Sequence, residues 1–274
     1  MSYKSLMVHL EFGRSNAAIL KVASDLAQRF DASVIGIGAR KPLMVAYGGV
    51  CTSGEIIAQD RADADKEAEE AEQEFRAVLK PAADLRWRWA LTPEPLCEYF
   101  AREARCADLI LTGMERPSLL ADTRHSDIGD LVMRAGRPVL VIPPGVERIG
   151  KDRMLLAWKD TREARRAAFD ALPLLKLAGG VTVVQVAPDD RLDEVRGPLS
   201  DVADWLGRHG VAAEPLAVAS HGSDAAALAR VSNELRADVI VAGAYGHSRL
   251  REWVLGGVTY DLLLGSPRVA LLSR

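Results

Sequence analysis

The segments ARCADLILTG (residues 104–113) and ELRADVIVAG (residues 234–243) are nearly one stretch written twice. Each sets Ala-Asp before a short apolar run that ends on glycine. The same offset of about 130 residues continues without a gap, placing Ser118 opposite Ser248 and Val139 opposite Val269. The beginnings of the halves also correspond. YKSLMVHL (3–10) and KDRMLLAW (151–158) are both followed by a polar, helix-like stretch. Pro143-Pro144-Gly145 interrupts the apolar pattern between them, so the chain reads as two tandem domains, 1–146 and 147–274.

Within each half, short apolar runs alternate with longer amphipathic ones, the pattern of βα units on a parallel sheet. In the first half the spacing predicts strands near 4–10, 33–38, 84–90, 108–112 and 138–142, with helices near 14–29, 57–79, 94–105 and 126–135. In the second it predicts strands near 153–158, 181–186, 213–218, 238–242 and 268–272, with helices near 161–177, 192–208, 223–235 and 256–264. Pro173 should kink or end the helix it falls in. Along 57–79, Ala64, Ala68, Ala71, Phe75, Val78 and Leu79 keep to one helical face. Glu67, Glu69, Glu70, Glu72 and Glu74 lie mostly around the other, and read as a solvated face. Residues 40–54 have no counterpart after Val186 and form a longer loop, open both to a functional and to a purely connecting role.

The chain has 274 residues, 49% hydrophobic and 27% charged, with a net charge of −3, which is ordinary globular usage. A net negative charge argues against a nucleic-acid surface, because phosphate backbones are held by clustered Lys and Arg. The cysteines Cys51, Cys97 and Cys106 form no CxxC, and an odd number fits a reduced compartment. The charge at Glu11 follows a very short apolar stretch, so the start reads as neither signal peptide nor membrane helix. These features predict a cytoplasmic protein.

The segment GAYGHSRLREWVLGGVT (243–259) leaves the carboxyl end of an apolar run, where ligands bind in doubly wound α/β sheets. Gly243 and Gly246 allow sharp turns and close approach to the backbone. Gly256 and Gly257 precede a helix whose first amides lack intrahelical partners; with the Thr259 hydroxyl those amides make an anion site. The spacing is G-x2-G-x9-G, which is neither GxGxxG nor a P-loop. On the glycines alone, a phosphate cradle and a set of turns with a helix cap both stay open.

A strand, then G-x2-G-x9-G with a small residue after it, then a helix, inside a tandem α/β repeat, resembles the universal stress protein family over nearly the whole chain. The resemblance implies two tandem doubly wound five-stranded parallel-sheet domains, Rossmann-like in architecture, and a stress-response protein. In the nucleotide-binding branch of that family the segment wraps the phosphates and ribose of ATP. Carried onto this sequence, the cofactor-binding residues are Trp158, Lys159, Asp160, Val186, Gly243, Tyr245, Gly246, His247, Ser248, Gly256, Gly257, Val258 and Thr259. A Mg²⁺ ion, if present, would arrive with the nucleotide rather than at a metal site of the chain's own.

Two departures stand out. Gly257 replaces the Ser or Thr that ends the family motif, a loss of about 1.5–3 kcal/mol if the hydroxyl met a charged group. Lys159 stands where the family usually carries an Asp, reversing the charge and the hydrogen-bond sense, with Asp160 beside it. In the first half that position is Glu11, and Arg116-Pro117 and Ser126-Asp127 stand opposite Gly246 and Gly256-Gly257. The first half therefore reads as degenerate, closed to nucleotide and a structural partner of the second.

Other constellations are weaker. The five histidines, His9, His125, His209, His221 and His247, form no HExxH and no short Cys/His cluster. His247-Ser248 makes no triad by itself and no GxSxG is present. Arg249 and Arg251 are either phosphate contacts or solvated; Trp253, Trp87 and Trp89 read as packing. The last strand, RVALLS, is an edge through which members of the family commonly dimerise, implying an intrachain pseudo-dimer and a homodimer. The leading expectation is a sensor or adaptor that binds ATP or a related adenine nucleotide in its second half. A scaffold that binds no nucleotide, or another small ligand, and a slow nucleotide hydrolase stay open beside it.

Overall fold

The computed structural model describes residues 2–43, 54–79, 84–114, 128–220, 222–244 and 268–274. They gather into two compact units, one of Tyr3–Arg137 with Pro144–Arg148, the other holding Pro138–Pro143 and Ile149–Arg274.

In the first unit, β1 (Ser5–His9), β2 (Ser33–Arg40), β3 (Leu85–Leu91) and β4 (Leu109–Gly113) run parallel in the order β3-β2-β1-β4. Its helices are α1 (Ala17–Phe30), α2 (Gly54–Leu79), α3 (Leu96–Glu103) and α4 (Ile128–Ala135). The second unit carries β5 (Val139–Ile142), β6 (Arg153–Ala157), β7 (Gly180–Ala187), β8 (Ala213–Ala219), β9 (Val239–Gly243) and β10 (Val269–Ser273) in the order β5-β10-β9-β6-β7-β8. Its helices are α5 (Arg162–Leu175), α6 (Leu192–Arg208) and α7 (Asp224–Glu234). The architecture is α/β and doubly wound, with each half of the chain contributing five strands. β4, β5, β9 and β10 are apolar along most of their length and almost fully buried, as strands covered on both faces must be.

The repeated Ala-Asp has a structural reason. Asp108 Oδ2 accepts the amides of Lys4 (2.7 Å) and Ser5 (3.0 Å). Asp238 Oδ2 accepts those of Asp152 (2.9 Å) and Arg153 (3.1 Å). Each carboxylate thus fixes the start of the neighbouring strand to its own. Gly150 has no room for a Cβ, which would stand 2.2 Å from Asp238 Oδ1.

β5 belongs to the first half of the sequence but packs in the second unit. It runs antiparallel to β10, with Val141 opposite Ala270, Leu140 opposite Leu271 and Val139 opposite Leu272. Residues 144–148 then go back to the first unit, where Glu147 pairs with Lys21 of α1 at 2.7 Å.

The predicted elements fall on observed ones wherever the residues are described. The helix predicted at 94–105 ends at Glu103 and passes into a 3₁₀ turn over Ala104–Cys106. α5 ends at Leu175, two residues after Pro173, whose ring supplies no N–H for the last turn. The helix predicted at 256–264 and most of the loop 40–54 lie outside the described residues.

Candidate functional site

In the second unit the carboxyl ends of the strands are built around the start of α5. β6 gives way to Trp158, half-buried, whose amide donates to Val184 O at 2.8 Å and so continues the ladder one residue further. Lys159 and Asp160 follow, both exposed, and Asp160 Oδ1 accepts from Arg165 at 2.7 Å. Thr161 then caps α5, its hydroxyl accepting the amide of Ala164 at 3.3 Å. Val186, half-buried on β7, packs against the cluster of Leu155, Val184, Leu228, Val231, Ala237 and Ile240. Trp158, Lys159, Asp160, Val186 and Gly243 thus lie at the carboxyl ends of β6, β7 and β9. Tyr245, Gly246, His247, Ser248, Gly256, Gly257, Val258 and Thr259 lie outside the described residues.

Gly243 is a glycine for a packing reason. A Cβ there would stand 2.5 Å from Ala164 N and Glu163 C, and 2.7 Å from Glu163 O. The end of β9 therefore lies directly on the first turn of α5. Glu163, in that turn, is 4% exposed and pairs with Arg162. Burial pushes its carboxyl pKa up, but hydrogen bonds from Arg162, its own amide and Thr161 outweigh that and hold it below the usual value. Two leading amides of α5, those of Ala164 and Glu163, are thus engaged by the helix's own Thr161 and Glu163.

The first unit differs at the same place. Phe12, just beyond β1, lies across Gly38 of β2; a Cβ on Gly38 would come within 2.3 Å of the Phe12 ring. Phe12 meets Trp89 of β3 edge-on, centroids 6.2 Å apart, and the Arg61 guanidinium stands 5.6 Å from the Trp89 ring centroid. Alongside, Arg40 at the end of β2 is bound by Asp60 and by Glu67 (2.9 Å), while Asp60 also accepts the Leu43 amide at 2.9 Å. Glu74 accepts from the Ser15 hydroxyl and the Asn16 amide, each at 2.8 Å. The acidic run of α2 is therefore only partly a solvated face, because Glu67 and Glu74 turn inward to hold the β1 and β2 ends. Sequence periodicity missed them, since a glutamate's partner is not written beside it.

Strand register shows what replaces this plug in the second unit. Leu6 and Met154 occupy equivalent places, opposite Val34 and Val181, which in turn face Leu85 and Ala213. Counting along, Gln185 answers to Gly38, Ala187 to Arg40, Ala217 to Trp89 and Asp160 to Phe12. Two aromatic rings and an arginine are replaced by two alanines and an exposed carboxylate. Among the described residues no group of His, Cys, Asp and Glu is placed to hold a metal ion, and no helix is long and apolar enough to cross a membrane.

A parallel α/β sheet with this strand order, repeated within one chain, defines the class. No protein-family model matches the sequence, and no curated protein matches it. Solved structures do. A universal stress protein from Archaeoglobus fulgidus DSM 4304 is similar over 98% of this chain and 96% of its own, with 16% identity and a TM-score of 0.73. A protein of unknown function from Pseudomonas aeruginosa PAO1 is similar over 99% of this chain and 92% of its own, with 16% identity and a TM-score of 0.62. The chain has the universal stress protein fold, over its whole length.

Proposed function

We propose that the second half, residues 147–274, binds ATP or a related adenine nucleotide at the carboxyl ends of β6, β7 and β9, and that the first half, residues 1–146, is its non-binding partner. The observation that carries this is the contrast between equivalent places. Phe12, Trp89 and Arg61 fill the first, whereas Asp160, Ala217 and Gln185 line the second. The nucleoside would lie over β6 and β7 near Trp158 and Val186. The phosphates would meet Gly246 through Thr259, with Lys159 supplying the positive charge a phosphate needs in place of a carboxylate's grip on the ribose. Any Mg²⁺ would come with the phosphates.

The protein then acts as a cytoplasmic stress-linked sensor or adaptor rather than a fast enzyme, with the two halves paired as a pseudo-dimer and the chain able to pair again as a homodimer. Asp160, exposed beyond β6, pairs with Arg165. Calorimetric titration of the full chain with ATP, ADP and AMP tests the reading. Wild type should bind and Gly246→Arg should not; equal binding by both sinks the phosphate-loop assignment. If neither binds any of the three, the nucleotide reading falls and the chain is a scaffold or holds another small ligand.

A further inference from the structure

We infer that the outer edge of β3 pairs with the β3 of a second copy of the chain, antiparallel about a two-fold axis at Trp89. The inference rests on the homodimer named above and gives it a surface. β10 cannot serve, because β5 and β9 already flank it on both sides. Among the described residues, β3 has a strand neighbour only in β2, and β8 only in β7.

These two outer strands differ in how their edges are guarded. Bonds to a parallel neighbour use every second residue. Val34 donates to Asp84 O (3.0 Å) and Thr92 to Arg40 O (2.9 Å), so the even-numbered residues of β3 serve β2. Leu85, Trp87, Trp89 and Leu91 therefore turn their amides and carbonyls outward. Ser220 donates to Ala187 O at 2.8 Å, which turns Pro215 of β8 outward in the same way. Pro215 has no amide to offer, and Glu214 beside it is exposed, so β8 is a poor template. The residue answering to Pro215 is Trp87, opposite Gly36 as Pro215 is opposite Val183. β3 carries no proline, and its four outward residues are apolar and half-buried.

The occupant is a second copy because the strand fits itself in one register. Leu85, Trp87, Trp89 and Leu91 share the face on which Phe75 meets Trp87 and Phe12 meets Trp89, with centroids 5.9 Å and 6.2 Å apart. Pairing about Trp89 sets Trp87 opposite Leu91 of the second copy and carries that apolar row across the axis. On the other face Arg88 meets Ala90 and Arg86 meets Thr92, so no like charges are opposed. Centring on Arg88 sets that residue against itself, and centring on Trp87 sets Arg86 against Arg88. Like charges directly opposite each other are destabilising.

Sedimentation of the full chain, with hydrogen exchange at low and high protein concentration, tests this. Wild type should sediment as a dimer. Raising the concentration should slow exchange at Trp87, Trp89 and Leu91, while Arg86, Arg88 and Ala90, already bonded to β2, keep their rates. Leu91→Lys sets a charge opposite Trp87 of the second copy and should weaken the dimer about tenfold or more; from a half-buried position its ammonium still reaches water, so the chain stays folded. Ala213→Lys, on the outward edge of β8, should leave the dimer intact. A monomeric wild type overturns both the homodimer and this surface. A dimer that survives Leu91→Lys, that is broken equally by Ala213→Lys, or that protects no outward amide of β3 overturns the β3 edge and leaves the homodimer standing.

Discussion

Gly113 and Gly243 stand at equivalent places in the repeat, yet replacing each with alanine should have opposite outcomes. Neither has a positive φ, so backbone strain does not separate them. At Gly243 the new Cβ would lie 2.5 Å from Ala164 N and Glu163 C, about an ångström inside van der Waals contact, against helix backbone that cannot swing aside. Either β9 or the first turn of α5 must shift, disturbing the Thr161 cap and the Glu163 pair with it. Overpacking of this kind costs about 1–3 kcal/mol, and a clash with backbone belongs at the upper end. For units of this size that lowers the melting temperature by about 6–12 °C. At Gly113 the nearest atom is Glu11 Oε1 at 3.4 Å, the far end of a flexible side chain. There the reduced freedom of the unfolded chain offsets the contact, and Gly113→Ala should fall within about 0.5 kcal/mol of wild type. Calorimetric melting of both variants without nucleotide checks the pair. Equal melting temperatures, or a more stable Gly243→Ala, would refute the claim that α5 rather than a ligand demands the second glycine.

Two other outcomes follow from the structure. The Glu163 carboxyl has its pKa held below that of the unfolded chain, so its contribution is present above the unfolded value, about 4.3, and is lost as pH falls through the folded one. Glu163→Gln should therefore flatten the fall of stability between neutral and acid pH, read by urea unfolding at a series of pH values; an unchanged slope contradicts the assignment. Because β5 lies in the second unit, a chain of residues 138–274 should unfold cooperatively, whereas one of residues 149–274 leaves the β10 edge unpaired. The shorter chain should melt lower or aggregate, and identical melting of the two would show β5 to be dispensable.

Much of this was legible in the residues themselves. Strand and helix positions follow from apolar periodicity, a local property that the fold then has only to accommodate. The repeat of ADLILTG in ADVIVAG marked equivalent elements, and the equivalence holds in detail down to the paired carboxylates of Asp108 and Asp238. The glycine segment 243–259 stands out in the sequence by its place after an apolar strand. Its described first residue, however, owes its missing side chain to α5, about 80 residues earlier in the chain, a cause no spacing rule reveals.

The sequence by itself determined the alternation of strands and helices, the repeat, and the replacement of motif glycines by Arg116, Ser126 and Asp127, because each is carried by residues close together in the chain. Only the tertiary structure decided that Phe12, Trp89 and Arg61 meet over Gly38, that Glu67 and Glu74 turn inward, and that β5 pairs with β10. These partners lie tens to more than a hundred residues apart. What brings the first two sets together is the register of parallel strands and the packing of α2 upon them, whereas β5 meets β10 antiparallel; in the other copy the ends of β6, β7 and β8 carry Asp160, Gln185 and Ala217 instead.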